Sequence, residues 1–237
     1  MPVNTDKLSP LTILALDTCT ESCSVALTHN GHIYAEQADA PREHSQRLLP
    51  MVDNVLKEAD IDLSAVSLIA YGRGPGSFTG IRICTSMTQG LALGQDLPVV
   101  GISTLQAMAQ AAMDNHGAEQ IVAAIDARMG EVYWGEFVSR EGIAALVGSE
   151  MVCKPEEVSR ALDYQQSVYA CGTGFDTYPE LLSSGMQLLA DDKFPEARYM
   201  LPLAVNAHAN GESTEVEGLQ PVYLRDTVTW KKLSGRE

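Results

Sequence analysis

The stretch LTILALDTCTESCSVAL, residues 11–27, joins an apolar run, an aspartate, a turn rich in hydroxyl groups and a second apolar run. Its first half contains many branched residues and stops at Asp17, which predicts a buried strand. The same layout returns in IVAAIDARMGEVYWGEF, residues 121–137, where Asp126 takes the place of Asp17. A strand–Asp–turn–strand unit that occurs twice predicts two related subdomains facing each other across a cleft.

Between the two copies, the sequence alternates strand and helix patterns. The dipeptide Asn30-Gly31 separates two alternating runs and is a strong hairpin signal. Amphipathic spacing predicts a helix over 42–59, in which Pro50 should cause a kink or a late start. The other elements predicted in this half are strands over 66–74 and 97–103 and helices over 81–93 and 105–113.

The second half has weaker signals. A helix is predicted over 153–162, a strand over 167–174 and a late helix that ends at Gly211. Together the elements indicate an α/β protein with duplicated mixed sheets and flanking helices. We expect an N-terminal subdomain over 1–103, with the glycine loop and the helices for dimer contacts, and a C-terminal subdomain over 104–237.

Composition limits the functions that the chain can have. Sixteen basic and 31 acidic side chains give a net charge of −15. Nucleic-acid affinity depends largely on Lys and Arg contacts to phosphate, so tight binding of tRNA or DNA by this chain alone is not expected. The nearest approach to a basic cluster is Lys231, Lys232 and Arg236 at the C-terminus.

The five cysteines are odd in number and form no C-x-x-C pair, which favours reduced thiols over a disulfide framework or a zinc site. The first ten residues are polar, and no run of eighteen apolar residues occurs. We therefore expect a cytoplasmic protein that does not contact a membrane.

The glycine-rich stretch GRGPGSFTGIRI, residues 72–83, matches none of the sharper loop motifs. A Walker A loop needs a lysine, and none occurs from Gly72 to Gly94. A dinucleotide fingerprint would need glycine at Thr79, and a nucleophile elbow would need serine at Phe78. The stretch therefore predicts a strand-to-helix corner capped by Ser77 or Thr79, which could also receive an anion at the helix N-terminus.

Two other features have alternative interpretations. Asp17 and the hydroxyls after it resemble the first phosphate loop of the actin, hexokinase and Hsp70-like ATPases, although an acid that caps a hairpin turn gives the same pattern. His29 and His32 flank the Asn30-Gly31 turn, where a solvated pair is commoner than a metal site. The sequence has no H-x-x-x-H pair and no histidine poised as a base for serine or cysteine chemistry.

The helix after the glycine loop has small residues every four positions, at Ser86, Gly90 and Gly94. Small faces let two helices approach closely. The face either packs on the chain's own sheet or contacts a second chain.

The motif GPGSFTGIRI completes a larger pattern. Together with ILALDTCTESCSVAL, HSQRLLP (44–50), DARMGEVYWGEF (126–137) and PVYLR (221–225), it resembles the TsaB, or YeaZ, family from about Leu11 to Arg225. The resemblance implies the two-subdomain actin/hexokinase/Hsp70-like ATPase fold. It also implies a role in making N6-threonylcarbamoyladenosine in tRNAs that read codons starting with A. Ser103 and Ala107 stand where the related catalytic subunit TsaD has a metal-binding histidine pair, so the resemblance implies a non-catalytic subunit.

The resemblance further implies a homodimer, a preferred heterodimer with TsaD, and an association with the ATPase TsaE, with tRNA bound only through the complex. It implies no cofactor for this chain, since ATP and a metal ion belong to the partner subunits. The residues of a vestigial nucleotide cleft would be Asp17, Thr18, Gly74, Gly76 and Ser77. The apolar and small candidates for the dimer contact are Leu48, Met51, Val52, Val55, Cys84, Met87, Gly90 and Leu91.

The main alternative is an enzyme of the same fold, either a cytosolic ATPase or a glycoprotease-like peptidase. The missing lysine, histidine pair and nucleophile elbow argue against it. A sugar or acetate kinase is less well supported, because such kinases usually have a longer chain with more phosphate loops.

Overall fold

Two five-stranded mixed sheets form the centre of the computed structural model, which describes residues 11–158, 160–162 and 166–225. The strands of the first sheet are β1 (Ile13–Asp17), β2 (Ser22–His29), β3 (His32–Asp39), β4 (Leu68–Gly74) and β5 (Val99–Ser103). The strands of the second sheet are β6 (Gln120–Arg128), β7 (Glu131–Arg140), β8 (Ile143–Cys153), β9 (Val168–Cys171) and β10 (Met186–Leu189).

The two sheets have the same topology. Their orders are β3-β2-β1-β4-β5 and, written from the other edge, β8-β7-β6-β9-β10. In each sheet the central strand pairs antiparallel with the strand that follows it and parallel with a later strand. Asp17 and Asp126 lie near the ends of the equivalent strands β1 and β6. The predicted duplication of mixed sheets with flanking helices is confirmed.

The β2–β3 hairpin turns at Asn30 and Gly31, as predicted, and His29 pairs with His32 across it. Asn30 has φ 51° and Gly31 has φ 78°. Two successive positive φ values are what a tight hairpin turn requires, and asparagine and glycine adopt them at least cost.

The helices are α1 (His44–Glu58), α2 (Phe78–Gln95), α3 (Thr104–His116), the single turn α4 (Gly174–Thr177) and α5 (Ala197–Ala209). The first helix begins only two residues after the predicted start and continues through Pro50. α2 begins at Phe78 rather than Ile81, because the hydroxyl of Ser77 accepts the Gly80 N–H and caps the first turn.

The helix predicted over 153–162 is wrong. The described residues of this segment form only one 3₁₀ turn, Pro155–Glu157. Beyond it, the backbone N–H groups of Ala161 and Leu162 donate to the carboxylate of Glu136, at 2.5 and 2.9 Å. This buried carboxylate on β7 competes with the helical hydrogen bonds that the propensity of the segment would favour.

The first sheet is covered on both faces. Alternate residues of β1 point to opposite sides, so Leu14 and Leu16 pack with α1 and α2, whereas Ile13 and Ala15 pack with α5. The chain therefore returns to the first sheet after completing the second one. The proposed boundary between residues 103 and 104 stays a prediction.

α3 lies between the two sheets. Leu105 and Met108 join the core of the second sheet, and Ala107 joins the core beneath the first. Within 11–158, 160–162 and 166–225, no helix combines the length and apolar character needed to span a membrane. The predicted basic cluster at Lys231, Lys232 and Arg236 and the polar first ten residues lie outside the described residues.

Candidate functional site

The glycine loop packs directly on the loop that follows Asp17. The backbone N–H of Ser77 donates to the carbonyl oxygen of Cys19 at 2.7 Å. The hydroxyl of Thr18 donates to the carbonyl oxygen of Gly80, also at 2.7 Å. Both groups would be natural donors to a phosphate, but here they join the two loops to each other.

The glycines of this corner allow that contact. A Cβ on Gly76 would lie 2.1 Å from the carbonyl oxygen of Cys19, and a Cβ on Gly80 would lie 2.0 Å from that of Thr18. No side chain fits at such distances, so glycine is required at both positions. Gly74 has φ 96° and lies against the carbonyl oxygen of Val222. The two loops are therefore in direct backbone contact at this corner.

Asp17 is buried beneath the same corner, with 1% of its surface exposed. Its Oδ1 accepts the backbone N–H of Cys19 at 3.0 Å, whereas Oδ2 has no hydrogen-bond partner in the described chain. Burial raises the pKa of this carboxyl from 3.8 to about 7, and the hydrogen bond from Cys19 only partly opposes the rise. The predicted cleft residues Asp17, Thr18 and Ser77 therefore lie together at this corner, where Thr18 and Ser77 already donate to backbone carbonyl oxygens. That they form a vestigial nucleotide cleft stays a prediction.

An open cleft of about 680 Å³ remains between the subdomains, beside this closed corner. Arg128 bridges it, with Nη1 at 2.9 Å from Oδ2 of Asp126 and Nη2 at 3.0 Å from Oε1 of Glu21. Arg128 and Met129 have positive φ values in the tight turn between β6 and β7. Asp126, which occupies the position equivalent to Asp17, is thus used in an ion pair at the edge of the cleft.

The segment PVYLR crosses the same cleft. At one end the backbone N–H of Val222 donates to the carbonyl oxygen of Arg73 at 2.7 Å. At the other end the guanidinium of Arg225 forms an ion pair with Glu131 and donates to the carbonyl oxygen of Ala127 at 3.0 Å. This segment therefore ties the first sheet to the second.

Ser103 and Ala107, the positions compared with the TsaD histidine pair, make structural contacts within the chain. The hydroxyl of Ser103 caps α3 by accepting the Gln106 N–H, and it donates to the carboxylate of Glu150. Ala107 is 1% exposed within the core. Elsewhere, His29 contacts the hydroxyl of Thr12. In the part of the chain that the structure describes, no three His, Cys, Asp or Glu side chains gather as a metal site would require. That the chain binds no metal stays a prediction.

The structure sorts the residues proposed for the dimer contact. Those that pack inside the chain's own core are Leu48, Met51, Val52, Val55 and Cys84, each at most 4% exposed. Met87 and Leu91 are partly buried against the same core. Gly90 is exposed, and a Cβ added to it would have no neighbour within 4 Å. Of the predicted patch, only the α2 residues Met87, Gly90 and Leu91 are accessible to a partner.

The accessible surface of this helix includes one continuous side, which we call the α2 outer face. Its exposed residues are Phe78, Arg82, Ser86, Gln89, Gly90, Leu93 and Gly94. A groove of about 380 Å³ follows its first two turns. The small residues noted in the sequence, Ser86, Gly90 and Gly94, lie on this face, whereas Phe78, Arg82, Gln89 and Leu93 are not among the predicted contacts.

The feature that the sequence analysis missed is a cluster at the end of this face. The guanidinium of Arg82 lies 3.5 Å from the ring centroid of Phe78 and 5.9 Å from that of Tyr223. The two rings are 5.8 Å apart. Phe78 and Tyr223 belong to motifs that the family resemblance used, but no spacing rule relates positions so distant in sequence.

Comparisons with known proteins are consistent with these observations. A family model described as TsaD, tRNA N6-adenosine threonylcarbamoyltransferase, matches residues 31–230. The tRNA threonylcarbamoyladenosine biosynthesis protein TsaB of Escherichia coli K12 is 47% identical over 229 residues, covering 95% of this chain and 99% of that protein. TsaB of Haemophilus influenzae is 44% identical over 236 residues, covering 96% and 99%.

A solved structure gives the same result for the fold. YeaZ from Pseudomonas aeruginosa superimposes with a TM-score of 0.86 at 47% identity, covering 90% of this chain and all of that one. The similarity extends over both sheets, so it includes the duplicated arrangement as well as the glycine corner.

Proposed function

The chain belongs to the TsaB family of tRNA threonylcarbamoyladenosine biosynthesis proteins, and from this premise we propose that it is a non-catalytic subunit that binds and activates TsaD. In this proposal, TsaD transfers the threonylcarbamoyl group to tRNAs that read codons starting with A. TsaE joins the pair, and tRNA contacts the assembly rather than this chain alone.

The observation that carries the proposal is the contact between the two loops that would hold phosphate in an active ATPase of this fold. The carbonyl oxygen of Cys19 accepts the Ser77 N–H and lies against the α-carbon of Gly76. Catalysis of phosphoryl transfer depends on backbone and side-chain donors aimed at the phosphates. Because these donors are used inside the protein, ATP and a metal ion are better assigned to the partner subunits than to this chain.

The α2 outer face is the surface that we assign to TsaD and, in competition, to a second copy of this chain. Glycine in an exposed helix costs stability relative to alanine, by about 1 kcal/mol, so Gly90 and Gly94 do not serve the isolated fold. Neither glycine has a neighbour within 4 Å of an added Cβ. Two such positions one turn apart allow another helix to approach closely.

The test is Gly90→Arg. The open space around Gly90 means that the variant should fold. In the complex, the added guanidinium would be desolvated without a partner, which costs several kcal/mol. The affinity for TsaD should therefore fall by about 100-fold or more, and cells that depend on the variant should lose threonylcarbamoyladenosine. Titration calorimetry with purified TsaD measures the first effect and nucleoside analysis of tRNA the second.

Ala209→Arg is the matched control, because it adds the same charge to an exposed helical position on α5. It should bind TsaD like the wild type. If Gly90→Arg folds and still binds TsaD at wild-type affinity, the α2 outer face is not the contact. A purified chain that hydrolyses ATP or peptides at a rate abolished by Asp17→Ala would favour the enzyme alternative instead.

A further inference from the structure

The cluster at the start of the α2 outer face contains an arginine, Arg82, that forms no ion pair with an acidic side chain of the described residues. In residues 11–158, 160–162 and 166–225, the guanidinium of Arg82 has ring contacts but neither a hydrogen bond nor an ion pair. By contrast, Arg47, Arg128 and Arg225 each pair with a carboxylate. Arg42, Arg140 and Arg198 also have no ion pair in the described residues, so what distinguishes Arg82 is its place beside two exposed aromatic rings at the start of the α2 outer face.

The guanidinium is held in place before any partner arrives. Phe78 is fixed at the first position of α2 by the Ser77 contact with Cys19, and Tyr223 is fixed by the Val222 contact with Arg73. Phe78 lies at stacking distance from the guanidinium, whose Cζ is 3.5 Å from the ring centroid, and no N–H group of the guanidinium has a hydrogen-bond partner among the described residues. Five donors in a fixed fork suit a carboxylate or a phosphate, and preorganisation reduces the entropy lost on binding.

The surroundings of Arg82 favour an anion. It lies in the second turn of α2, near the positive end of the helix dipole, and the first turn contains no acidic residue. Phe78 and Tyr223 beside it are 57% and 39% exposed. Exposed aromatic residues next to an arginine are the types that contribute most to protein interfaces.

We propose that Arg82 binds a carboxylate of the partner subunit that docks on the α2 outer face, and that this contact helps to select that partner. The inference rests on the proposed function, in which the partner is TsaD. A carboxylate is preferred to a nucleic-acid phosphate, because one arginine at this position on a chain of net charge −15 does not balance the repulsion from a polyphosphate.

The experiment compares Arg82→Gln, Arg82→Met and Arg82→Lys for TsaD binding at two salt concentrations. Gln and Met leave the partner's carboxylate without its ionic partner, so affinity should fall roughly 30-fold, mainly through faster dissociation. Met retains the apolar contact with Phe78, so an equal loss in both variants assigns the effect to the donors. Arg82→Lys keeps the positive charge but lacks the forked set of donors of a guanidinium, so its affinity for TsaD should fall about tenfold.

Arg198→Gln is the matched control, because Arg198 is an exposed arginine beside a tyrosine ring, 5.9 Å away on α5, outside the α2 outer face. It should bind like the wild type. In the charge exchange, Arg82→Glu should abolish binding, and one single Asp→Lys or Glu→Lys substitution in TsaD should restore it.

The outcomes separate the two proposals. If the wild-type chain does not bind TsaD, the proposed function fails. If the wild type binds and Arg82→Gln binds equally well, or if no lysine substitution in TsaD restores Arg82→Glu, the inference alone is wrong. A loss confined to tRNA binding by the complex, with TsaD capture unchanged, would also overturn it, since the partner of Arg82 would then be a phosphate.

Discussion

Replacing Asp17 with asparagine tests whether burial keeps this carboxyl protonated in the folded chain at mildly acidic pH. The side chain is 1% exposed, and burial raises the pKa of its carboxyl from 3.8 to about 7. Asparagine has nearly the same shape, and its carbonyl oxygen can accept the Cys19 N–H that Oδ1 accepts now. The substitution removes the titration and leaves the packing almost unchanged.

The direction in which pH changes the stability follows from the linkage between proton binding and folding. Because the pKa of Asp17 is higher in the folded than in the unfolded chain, the folded protein retains a proton that the unfolded chain loses. The stability contributed by the protonated acid is complete below pH 3.8 and is lost as the pH rises through about 7. With about 1.36 kcal/mol for each pKa unit, the loss between pH 5 and pH 8 is roughly 3 kcal/mol. The Asp17→Asn variant undergoes no such loss.

The assay is urea unfolding of the wild type and Asp17→Asn at pH 5, 6.5 and 8. Other titrating groups are common to both proteins and cancel in the difference. The variant should gain roughly 3 kcal/mol on the wild type between pH 5 and pH 8, or about 6–12 °C in Tm. Its stability at pH 5 depends also on the cost of an amide nitrogen at the unpartnered Oδ2 position.

Asp126→Asn is the control at the equivalent position of the second sheet. Its carboxylate forms an ion pair with Arg128, whose side chain is 72% exposed, so the substitution should cost no more than about 1 kcal/mol. If the stability difference between Asp17→Asn and the wild type is the same at all three pH values, Asp17 is ionised in the folded protein. The rise in pKa attributed to burial would then be absent.

Two further predictions concern the glycine corner and the net charge. Gly76→Ala should destabilise the protein by about 3 kcal/mol, because the new Cβ would meet backbone at 2.1 Å. Gly94→Ala, where the new Cβ has open space, should stabilise it by about 0.5–1 kcal/mol. Thermal unfolding of both variants checks this, and equal Tm values would contradict it. The isolated chain should bind tRNA more weakly than about 10 μM at physiological salt, because its charge of −15 opposes the contact, and sub-micromolar binding in a filter assay would contradict this.

The sequence predicts correctly those strands, turns and helices that are determined by neighbouring residues rather than by contacts with distant parts of the chain. Asn30-Gly31 specifies its hairpin because both residues tolerate positive φ. The repeated strand and aspartate specify the duplication because Asp17 and Asp126 interrupt two similar apolar runs. The helix expected over 153–162 fails for the opposite reason, since Glu136 of another strand takes the N–H groups of Ala161 and Leu162.

The contacts that form the candidate site cannot be deduced from the spacing of apolar residues in the sequence. Spacing identifies an apolar stripe on α1 but does not say that Leu48 and Val52 face the chain's own sheet, which is what the structure shows. The glycines of this region look alike in sequence, yet a Cβ on Gly76 would meet backbone at 2.1 Å, whereas a Cβ on Gly90 would have no neighbour within 4 Å. The cluster of Arg82 with Tyr223 requires the chain to return from the second sheet to the first, a step that depends on the tertiary fold.

The surroundings of the glycines bear directly on function. At Gly76 and Gly80 a side chain is excluded by backbone within about 2 Å, so glycine there is a requirement of folding. At Gly90 and Gly94 nothing excludes a side chain, and alanine would make the isolated helix more stable. A residue that costs stability without serving the fold is expected at a functional position. The two pairs lie in the glycine corner and on the α2 outer face, so the first explains the closed corner and the second supports contact with another subunit.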